Sequence, residues 1–286
     1  MGKVLIFGDS TCDLPPEWRK KLGVGFMPLP VNVGADARLD MHDVFPGEVF
    51  EYYKKTGTLC TTSAPNTMDY VDFWTKVRER EPGCEILHFH ISSDMTVTHQ
   101  VADMAAKEFE NIWSIDTKSV SIGVAALLLE ACRLRDAGKS GREIFDAIEK
   151  IKSRVKVSFV IDSVEFLHKG GRCSGLAALG ANLLNLHPAI SMKDGVLSPG
   201  KKYRGSMKNV SKSYLTDALS DKSLKLDQNR ILVANTSFNE EMNNYLLEII
   251  RALRPDIKEI IFSQPGCSVC VHCGPNTIGI AYIPKE

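Results

Sequence analysis

The sequence has no apolar run of the roughly 18 to 20 residues that a helix needs to cross a bilayer, and no excess of either charge. Its 35 Lys and Arg residues balance 35 Asp and Glu residues, so we expect no basic surface for nucleic acid. Internal repeats, low-complexity tracts and a G-x-x-x-x-G-K-[ST] phosphate-binding loop are also absent. Any ligand must therefore be recognised at a local site.

The marks of a secreted protein are lacking too. The opening MGKVLIFGDS is short and soon polar, so we expect no signal peptide and a cytoplasmic location. Eight cysteines in such a chain predict reduced thiols rather than a disulfide framework. What the chain does have is 286 residues, of which 44% are hydrophobic, enough for a large core and two domains.

Apolar, β-rich runs alternate with helical stretches through the first half. Runs such as KVLIF and EILHFHI are continuously hydrophobic, which is typical of parallel strands covered by helices on both faces. We predict a Rossmann-like N-terminal α/β domain, residues 1–158, with a largely parallel sheet. Two strand-like runs around Lys193-Asp194-Gly195 predict a hairpin. Residues 159–286 should form an α+β domain with a mainly antiparallel sheet.

Ser92 and Ser93 follow the run EILHFHI and precede a helix predicted to begin near residue 95. A helix start offers unpaired N–H groups and the positive end of the helix dipole, so this hydroxyl pair could hold a carboxylate or phosphate. Simple capping of the helix is the alternative. A serine hydrolase would need Ser93 on a G-x-S-x-G turn with a histidine partner, and that turn is absent.

The segment CTTSAPN, residues 60–66, is a second hydroxyl cluster before a predicted helix. The segment could cap that helix, or its hydroxyls, Thr62 and Ser63 among them, could converge with the serine pair on one anion. The stretch DSTCDLP after the first strand has similar residue types, but Asp9 indicates turn geometry rather than an anion site.

Two segments of the second half combine glycine with basic residues. FLHKGGRCSG, residues 166–175, places a Gly-Gly turn before Arg172, ahead of a helix predicted from Ser174. Glycine lets the backbone approach another group closely, and Arg172 offers a fork of donors for a phosphate or carboxylate; a helix C-cap with solvated charges is the alternative. PGKKYRGS, residues 199–206, adds a basic turn that includes Arg204.

Three cysteines near the carboxyl end, Cys267, Cys270 and Cys273, have C-x-x-C-x-x-C spacing around His272, which could bind zinc or an iron–sulfur cluster. A second C-x-x-C pair is absent, and if the segment is extended, residues three apart point to opposite faces. Both points disfavour a shared metal. Three further histidines are expected to be packed structural residues: His88, His90 and His99.

The order of these motifs resembles the DegV family, bacterial fatty-acid-binding proteins that include the FakB subunits of fatty acid kinase. The resemblance runs nearly end to end, through DSTCDLP, PLPVNV, TTSAP, HISSDMTVTHQ, IDTKSVSIG, VEFLHKGGR, LLNLHPAISMKDGVLSPGKKYRG and HCGPNTIGIAY. It implies a two-domain α/β protein that encloses one long acyl chain, such as palmitate, stearate or oleate, in an apolar tunnel, with the carboxylate between the domains.

The resemblance also implies roles for individual residues. Hydroxyls would hold the carboxylate beside a histidine, and two arginines would lie where a separate kinase delivers phosphate. The matching positions are Thr62, Ser63 and Ser93 for the hydroxyls, His272 for the histidine, and Arg172 and Arg204 for the arginines. The protein would be a carrier rather than an enzyme, with no cofactor, with a fatty acid kinase catalytic subunit as partner, and with peripheral membrane contact for ligand exchange.

Several positions depart from the family pattern, among them Asp94, Val97 and His99 in one turn and Asn276 in another. Asp94 stands in a turn that is usually small and glycine-containing, and it would put negative charge beside the carboxylate unless it points away or pairs with a base. Asn276 replaces a glycine, which asparagine can do because it tolerates a left-handed turn. Two alternative functions therefore stay open: a serine hydrolase using Ser93, and a cysteine-based metal or redox sensor.

Overall fold

The computed structural model describes residues 2–173 and 186–285, so the helix predicted from Ser174 lies outside the described residues. The α-helices of the described part are α1 (Pro16–Leu22), α2 (Pro46–Thr56), α3 (Thr67–Arg80), α4 (Thr98–Ala106), α5 (Ile122–Asp136), α6 (Gly141–Ile151), α7 (Val164–Gly170), α8 (Met207–Leu219), α9 (Glu240–Leu253) and α10 (Cys267–Cys273). None of these helices combines the length and apolar character that a membrane span requires.

The strands of the same ranges are β1 (Val4–Asp9), β2 (Val24–Met27), β3 (Pro30–Val33), β4 (Asp36–Leu39), β5 (Thr61–Thr62), β6 (Glu85–His90), β7 (Ile112–Asp116), β8 (Lys156–Val160), β9 (Leu186–Lys193), β10 (Val196–Arg204), β11 (Arg230–Asn235), β12 (Glu259–Ser263) and β13 (Ile278–Tyr282).

The first sheet is parallel throughout, in the order β2-β1-β6-β7. Strand β6 lies in its interior and is buried almost completely, because helices cover both of its faces. Ile86 packs with the helix pair α3 and α4, whereas Leu87 and Phe89 pack with α5. The predicted parallel α/β sheet is confirmed.

The second sheet has six strands in the order β10-β9-β8-β13-β11-β12. All neighbouring pairs are antiparallel except β11 with β12, so the predicted mainly antiparallel sheet is confirmed. The predicted hairpin joins β9 to β10 through Asp194 and Gly195, which both have positive φ. Helix α5 contacts both sheets and is buried along most of its length, as its all-round apolar sequence requires.

A third, small antiparallel sheet has the order β4-β3-β5. It packs on α2 and α10 through a buried cluster of short side chains. The cluster consists of Val31, Val44, Val49, Cys60, Cys267 and Val271. This contact attaches a helix from the end of the chain to strands from its beginning.

Several local predictions have clear outcomes. His88 and His90 are fully buried with stacked rings, whose centroids lie 4.4 Å apart, so they are core residues as expected. Asn276 does adopt a left-handed turn, with φ 58°. Asp9 caps a short 3-10 helix, Ser10–Cys12, which confirms turn geometry at DSTCDLP.

The capping alternative fails for the serine pair and is confirmed for the segment CTTSAPN, where Asn66 rather than a hydroxyl is the cap. Helix α4 has Val97 at its N-cap position, so Ser92 and Ser93 do not cap it. Helix α3 is capped by Asn66, whose side-chain oxygen accepts a hydrogen bond from the Asp69 N–H. The serine and threonine hydroxyls of the two clusters therefore do not cap the helices that follow them.

Candidate functional site

An apolar cavity of about 340 Å³ lies between the first and second sheets, within the usual size range of small-molecule sites. Its apolar walls come from both halves of the chain and include Ile91, Val120, Ile122, Phe159, Leu197 and Ala234. Ser63, Val97 and Arg172 line the cavity and are themselves exposed, so it reaches the surface at these residues. The cavity can enclose an apolar molecule and leave one end of it near solvent.

Four of the predicted site residues line this cavity together: Thr62, Ser63, Arg172 and His272. Strand β5 carries Thr62 and helix α10 carries His272, and the distance from Thr62 Oγ1 to His272 Nε2 is 3.2 Å. The β5 strand is short, but its pairing with β3 fixes the position of Thr62. The structure therefore brings a hydroxyl and an imidazole into contact at the cavity wall.

The Gly-Gly-Arg segment makes room for this histidine. A Cβ atom on Gly170 would lie 2.4 Å from His272 Nδ1, so only glycine allows the ring to take its place. Gly171 adopts a left-handed conformation and caps α7, which confirms the C-cap alternative for that glycine. Arg172 then folds back and donates a hydrogen bond to the Gly170 carbonyl oxygen, at 2.7 Å.

The electrostatic environment keeps His272 uncharged. Burial, assisted by the positive charge of Arg172, lowers the pKa of His272 to about 4. In the neutral tautomer with a proton on Nε2, the ring donates to Thr62 Oγ1, and the Thr62 hydroxyl proton is then free for an anion in the cavity. Within the described part of the chain, His272 Nδ1 is buried without a hydrogen-bond partner.

A second, outer cavity of about 360 Å³ shares Thr62, Arg172 and His272 with the apolar one. Its other walls are residues 57–61, Lys169, Gly170 and Val271. The three shared residues thus stand between an apolar space and a more polar one. A carboxylate beside Thr62 and His272 would be approachable from the outer side.

The hydroxyl of Ser93 forms hydrogen bonds with residues outside the lining of the apolar cavity. It donates to Asp116 Oδ2 at 2.5 Å and accepts from Lys118 Nζ at 2.8 Å, and Ser93 is not among the described residues that line the apolar cavity. Burial alone would raise the pKa of Asp116, but hydrogen bonds from Ser93 and Lys118 outweigh it and lower that pKa. The role of Ser93 as a carboxylate ligand stays a prediction.

Asp94 pairs with a base, so its negative charge is balanced within the loop. Lys118 Nζ lies 2.6 Å from Asp94 Oδ2 and 3.2 Å from Asp116 Oδ2. The hydrogen bond to Asp94 raises the pKa of Lys118, so the amine stays protonated. Sequence reasoning missed the Asp116–Lys118 pair, although IDTKSVSIG places Asp116 at the end of strand β7 and Lys118 two residues later.

Arg204 lies apart from this site. It is the exposed last residue of β10, paired in register with Leu186, and it does not line either cavity in the described ranges. Its proximity to the head group therefore stays a prediction.

Around Ser93, the described residues do not form the catalytic groups of a serine hydrolase. Ser93 has hydrogen bonds to Asp116 and Lys118, and neither partner is a histidine. The protonated Lys118 cannot act as a general base. A serine hydrolase would need such a base.

The cysteine segment forms helix α10, so the condition that it be extended is not met. Cys267, Cys270 and Cys273 are buried, and burial raises the pKa of each thiol above its ordinary value, to about 12 for Cys273. No group of three or more metal-ligating side chains occurs in residues 2–173 and 186–285. Cys273 instead lines the apolar cavity.

Comparison with known proteins gives one consistent result. The family model described as "Uncharacterised protein, DegV family" matches residues 3–285. A DegV domain-containing protein of Clostridium acetobutylicum is 30% identical over 287 residues, covering 100% of both chains. A fatty acid-binding protein of Thermotoga maritima is 29% identical, covering 97% of this chain and 96% of that one.

A solved structure agrees in fold over the whole chain. The structure of a DegV family protein from Thermus thermophilus, described for its fatty acid binding, superposes with a TM-score of 0.87. The two chains are 28% identical, and the match covers 99% of this chain and 100% of that one.

Proposed function

The chain belongs to the DegV family, and we propose that it binds a long-chain fatty acid such as palmitate, stearate or oleate. The tail would fill the apolar cavity between the proposed domains, residues 1–158 and 159–286, and the carboxylate would lie near Thr62 and His272. One observation carries this proposal: a Thr–His pair lines an otherwise mainly apolar cavity of about 340 Å³. The fatty-acid-binding relatives support it.

The tail and the head group of the ligand would contribute differently to the binding free energy. Burying each methylene contributes about 0.8 kcal/mol, so a long tail supplies most of the affinity. A hydrogen bond to the carboxylate adds about 1.5 to 3 kcal/mol, and its main effect is to fix the orientation of the ligand. In this proposal Ser63 and Arg172, both exposed at the rim, hold the carboxylate from the solvent side.

We also propose that a separate kinase acts on the bound carboxylate. The kinase would transfer the γ-phosphoryl group of ATP to a carboxylate oxygen, giving an acyl phosphate and ADP. The outer cavity supports this step, because it offers a polar approach to the three residues that it shares with the apolar cavity. No phosphate-binding loop occurs in the sequence, so the kinase would hold the ATP.

The two remaining predicted residues, Ser93 and Arg204, would have indirect roles in this proposal. Ser93 would stabilise the loop beside the cavity through Asp116 and Lys118, and Arg204 would belong to the surface that meets the kinase. Val97, which lines the cavity and is 59% exposed, would touch the membrane during ligand exchange.

Native mass spectrometry of the protein purified from a bacterial host tests ligand binding. We expect a stoichiometric adduct that solvent extraction releases as a fatty acid. The delipidated protein should then take up added palmitate or oleate. Absence of an adduct, together with failure to bind either added acid in calorimetry, would refute the proposal.

The kinase step is tested separately, with a fatty acid kinase catalytic subunit and ATP. Acyl phosphate should form only when both proteins are present, and Arg172→Ala should slow its formation more than it weakens palmitate binding, because the guanidinium balances the added phosphate charge. Unchanged turnover in Arg172→Ala would remove Arg172 from this role.

A further inference from the structure

Two buried carboxylates hold the start of helix α10. Asp40 Oδ1 accepts the Cys267 N–H at 2.7 Å, and Asp40 Oδ2 accepts the Ser268 N–H at 3.1 Å. Asp13 Oδ1 accepts the N–H of the preceding Gly266 at 2.8 Å. Three successive backbone donors, which a helix start leaves without partners inside the helix, are therefore all bound by carboxylates from the first half of the chain.

The small sheet contacts α10 at two places. Asp40 directly follows β4 and binds the first turn of α10, whereas Thr62 lies on β5 and contacts His272 near the end of the same helix. Strand β3 pairs with both β4 and β5, so Asp40 and Thr62 belong to one hydrogen-bonded unit. Apolar side chains of α10 pack between these two contacts, against the buried cluster of the small sheet.

The contact between Asp40 and the first turn of α10 determines the position of His272, and so the contact between Thr62 and His272. A carboxylate that binds two successive N–H groups with two different oxygens fixes both the height of the helix along its axis and its rotation. His272 is only about one and a half turns beyond Cys267, so loosening the first turn displaces the imidazole. A helix of seven residues has little intrinsic stability to resist such fraying.

We propose that Asp40 is a positioning residue for the head-group site. By fixing the start of α10 it sets His272 against Thr62, and so it determines how well the site distinguishes a carboxylate from an uncharged head group. This inference rests on the proposed function. A purely structural role for Asp40 would instead affect every ligand of the cavity alike.

The test compares palmitate with hexadecanol, which has the same tail and an uncharged head group. Asp40→Asn keeps the shape of the side chain but turns an amide N–H₂ group toward one of the two backbone donors. We expect the affinity for palmitate to fall about tenfold, as for loss of a hydrogen bond to a charged group. Affinity for hexadecanol should stay within about twofold. Asp36→Asn, at an exposed position on β4, is the matched control and should change neither affinity.

A second readout follows the imidazole directly. The ring signals of His272, identified in NMR spectra by their absence in His272→Gln, should shift in Asp40→Asn and stay in place in Asp36→Asn. If Asp40→Asn does not fold, Asp13→Asn replaces it, because that change releases the neighbouring Gly266 N–H, and the same criteria apply.

Equal weakening of both ligands, or an unchanged ratio of the two affinities in folded protein, would overturn the positioning role. If the wild-type protein binds neither ligand, the proposed function has failed, and the His272 ring signals decide the inference alone. Ring signals that do not move in Asp40→Asn would then contradict it, and moved signals would support it.

Discussion

Thr62 and His272 line both cavities, and their side chains are in contact. Because burial and Arg172 lower the pKa of His272 and keep it neutral, the ring can donate through Nε2 and leave the threonine proton for the ligand. In the proposed function the pair would act as a neutral donor system, one that binds a carboxylate without adding a buried charge of its own.

Replacing Thr62 by valine keeps the shape of the side chain and removes this donor. We expect Thr62→Val to weaken palmitate binding by about ten- to a hundredfold, the usual effect of losing a hydrogen bond to a charged group, and to leave hexadecanol binding nearly unchanged. Isothermal titration of both ligands measures the difference. Thr61→Val, at the adjacent exposed position, is the control, and equal palmitate affinities in the two variants would contradict the role of Thr62.

His88 should make folding stability depend on pH. It is fully buried, its Nδ1 accepts a hydrogen bond from Trp74 Nε1 at 3.1 Å, and burial lowers its pKa to about 3. The unfolded chain protonates this histidine below about pH 6.5, whereas the folded protein does not do so until about pH 3. The stability contributed by His88 is therefore complete above pH 6.5 and declines as pH falls through this window.

The comparison with His88→Gln isolates this effect. Between pH 7.5 and 5 the free energy of unfolding of the wild type should fall by about 2 kcal/mol more than that of the variant, measured by urea denaturation. Asp9 acts in the opposite direction, since burial raises its pKa to about 6 and stability from this group increases as pH falls below that value. Asp9 is present in both proteins, so it cancels in the difference. Parallel pH profiles would show that His88 does not titrate on unfolding.

Elements whose signal lies within a few neighbouring residues were predictable from local sequence, and elements held by distant contacts were not. The strand EILHFHI, the hairpin at Asp194-Gly195 and the amphipathic helix α9 carry their signals within a few residues. Helix α10 carries no comparable signal. Its first N–H groups are bound by Asp13 and Asp40, more than 200 positions earlier in the chain, so contacts that hold this helix lie far from it in sequence.

The candidate site likewise has residues that the sequence could predict and contacts that it could not. The family resemblance selected Thr62, Ser63, Arg172 and His272, and these four do line one cavity. It could not reveal that the hydroxyl of Ser93 bonds to Asp116, because that contact depends on how two loops approach across the first sheet. The contact between Gly170 and the His272 ring is equally tertiary, although the paired glycines indicated a close approach.

The turn of the β9–β10 hairpin rests on the loop that follows β6. Ser92 Oγ donates to the Gly195 carbonyl oxygen at 2.7 Å, and a Cβ atom on Gly195 would lie 2.2 Å from Asp94 Oδ2. The φ angle of Gly195 is +84°. The turn thereby links the second sheet to the loop of the first sheet that borders the cavity.

Gly195→Ala should therefore cost more stability than a left-handed glycine ordinarily does. Gly138→Ala is the matched control, because Gly138 has φ +81° and no described atom lies within 4 Å of the place that its new methyl group would take. Both changes force alanine into the left-handed region, at about 1 to 2 kcal/mol. Gly195→Ala must also displace Asp94 from the turn, so we expect about 1 kcal/mol more destabilisation in urea unfolding. Equal losses would mean that the turn does not pack on the loop.

Helix α5 and the cavity both lie between the two larger sheets. The helix contacts both sheets, and the cavity beside its first turn has walls from both. A bound acyl chain would therefore complete the packing between the sheets, and ligand binding should raise the unfolding temperature of the whole chain.

Filling the cavity tests this arrangement. Ala234 on β11 lines the cavity and is almost fully buried. In Ala234→Leu the larger side chain should displace about two methylenes of the tail, so palmitate and hexadecanol should both weaken by about tenfold, with their ratio unchanged. Ala37→Leu, on the exposed strand β4, should bind as the wild type does. Full affinity in Ala234→Leu would place the tail elsewhere.

The ammonium group of Lys118, set between Asp94 and Asp116, constrains the order in which natural variants of this protein can arise. Loss of Asp94 first is tolerable, because Lys118 still neutralises Asp116. Loss of Lys118 first leaves two carboxylates facing each other across Ser93. Among descendants of this sequence, neutral residues at position 94 should therefore be found beside a retained lysine at position 118, whereas the reverse combination should be rare.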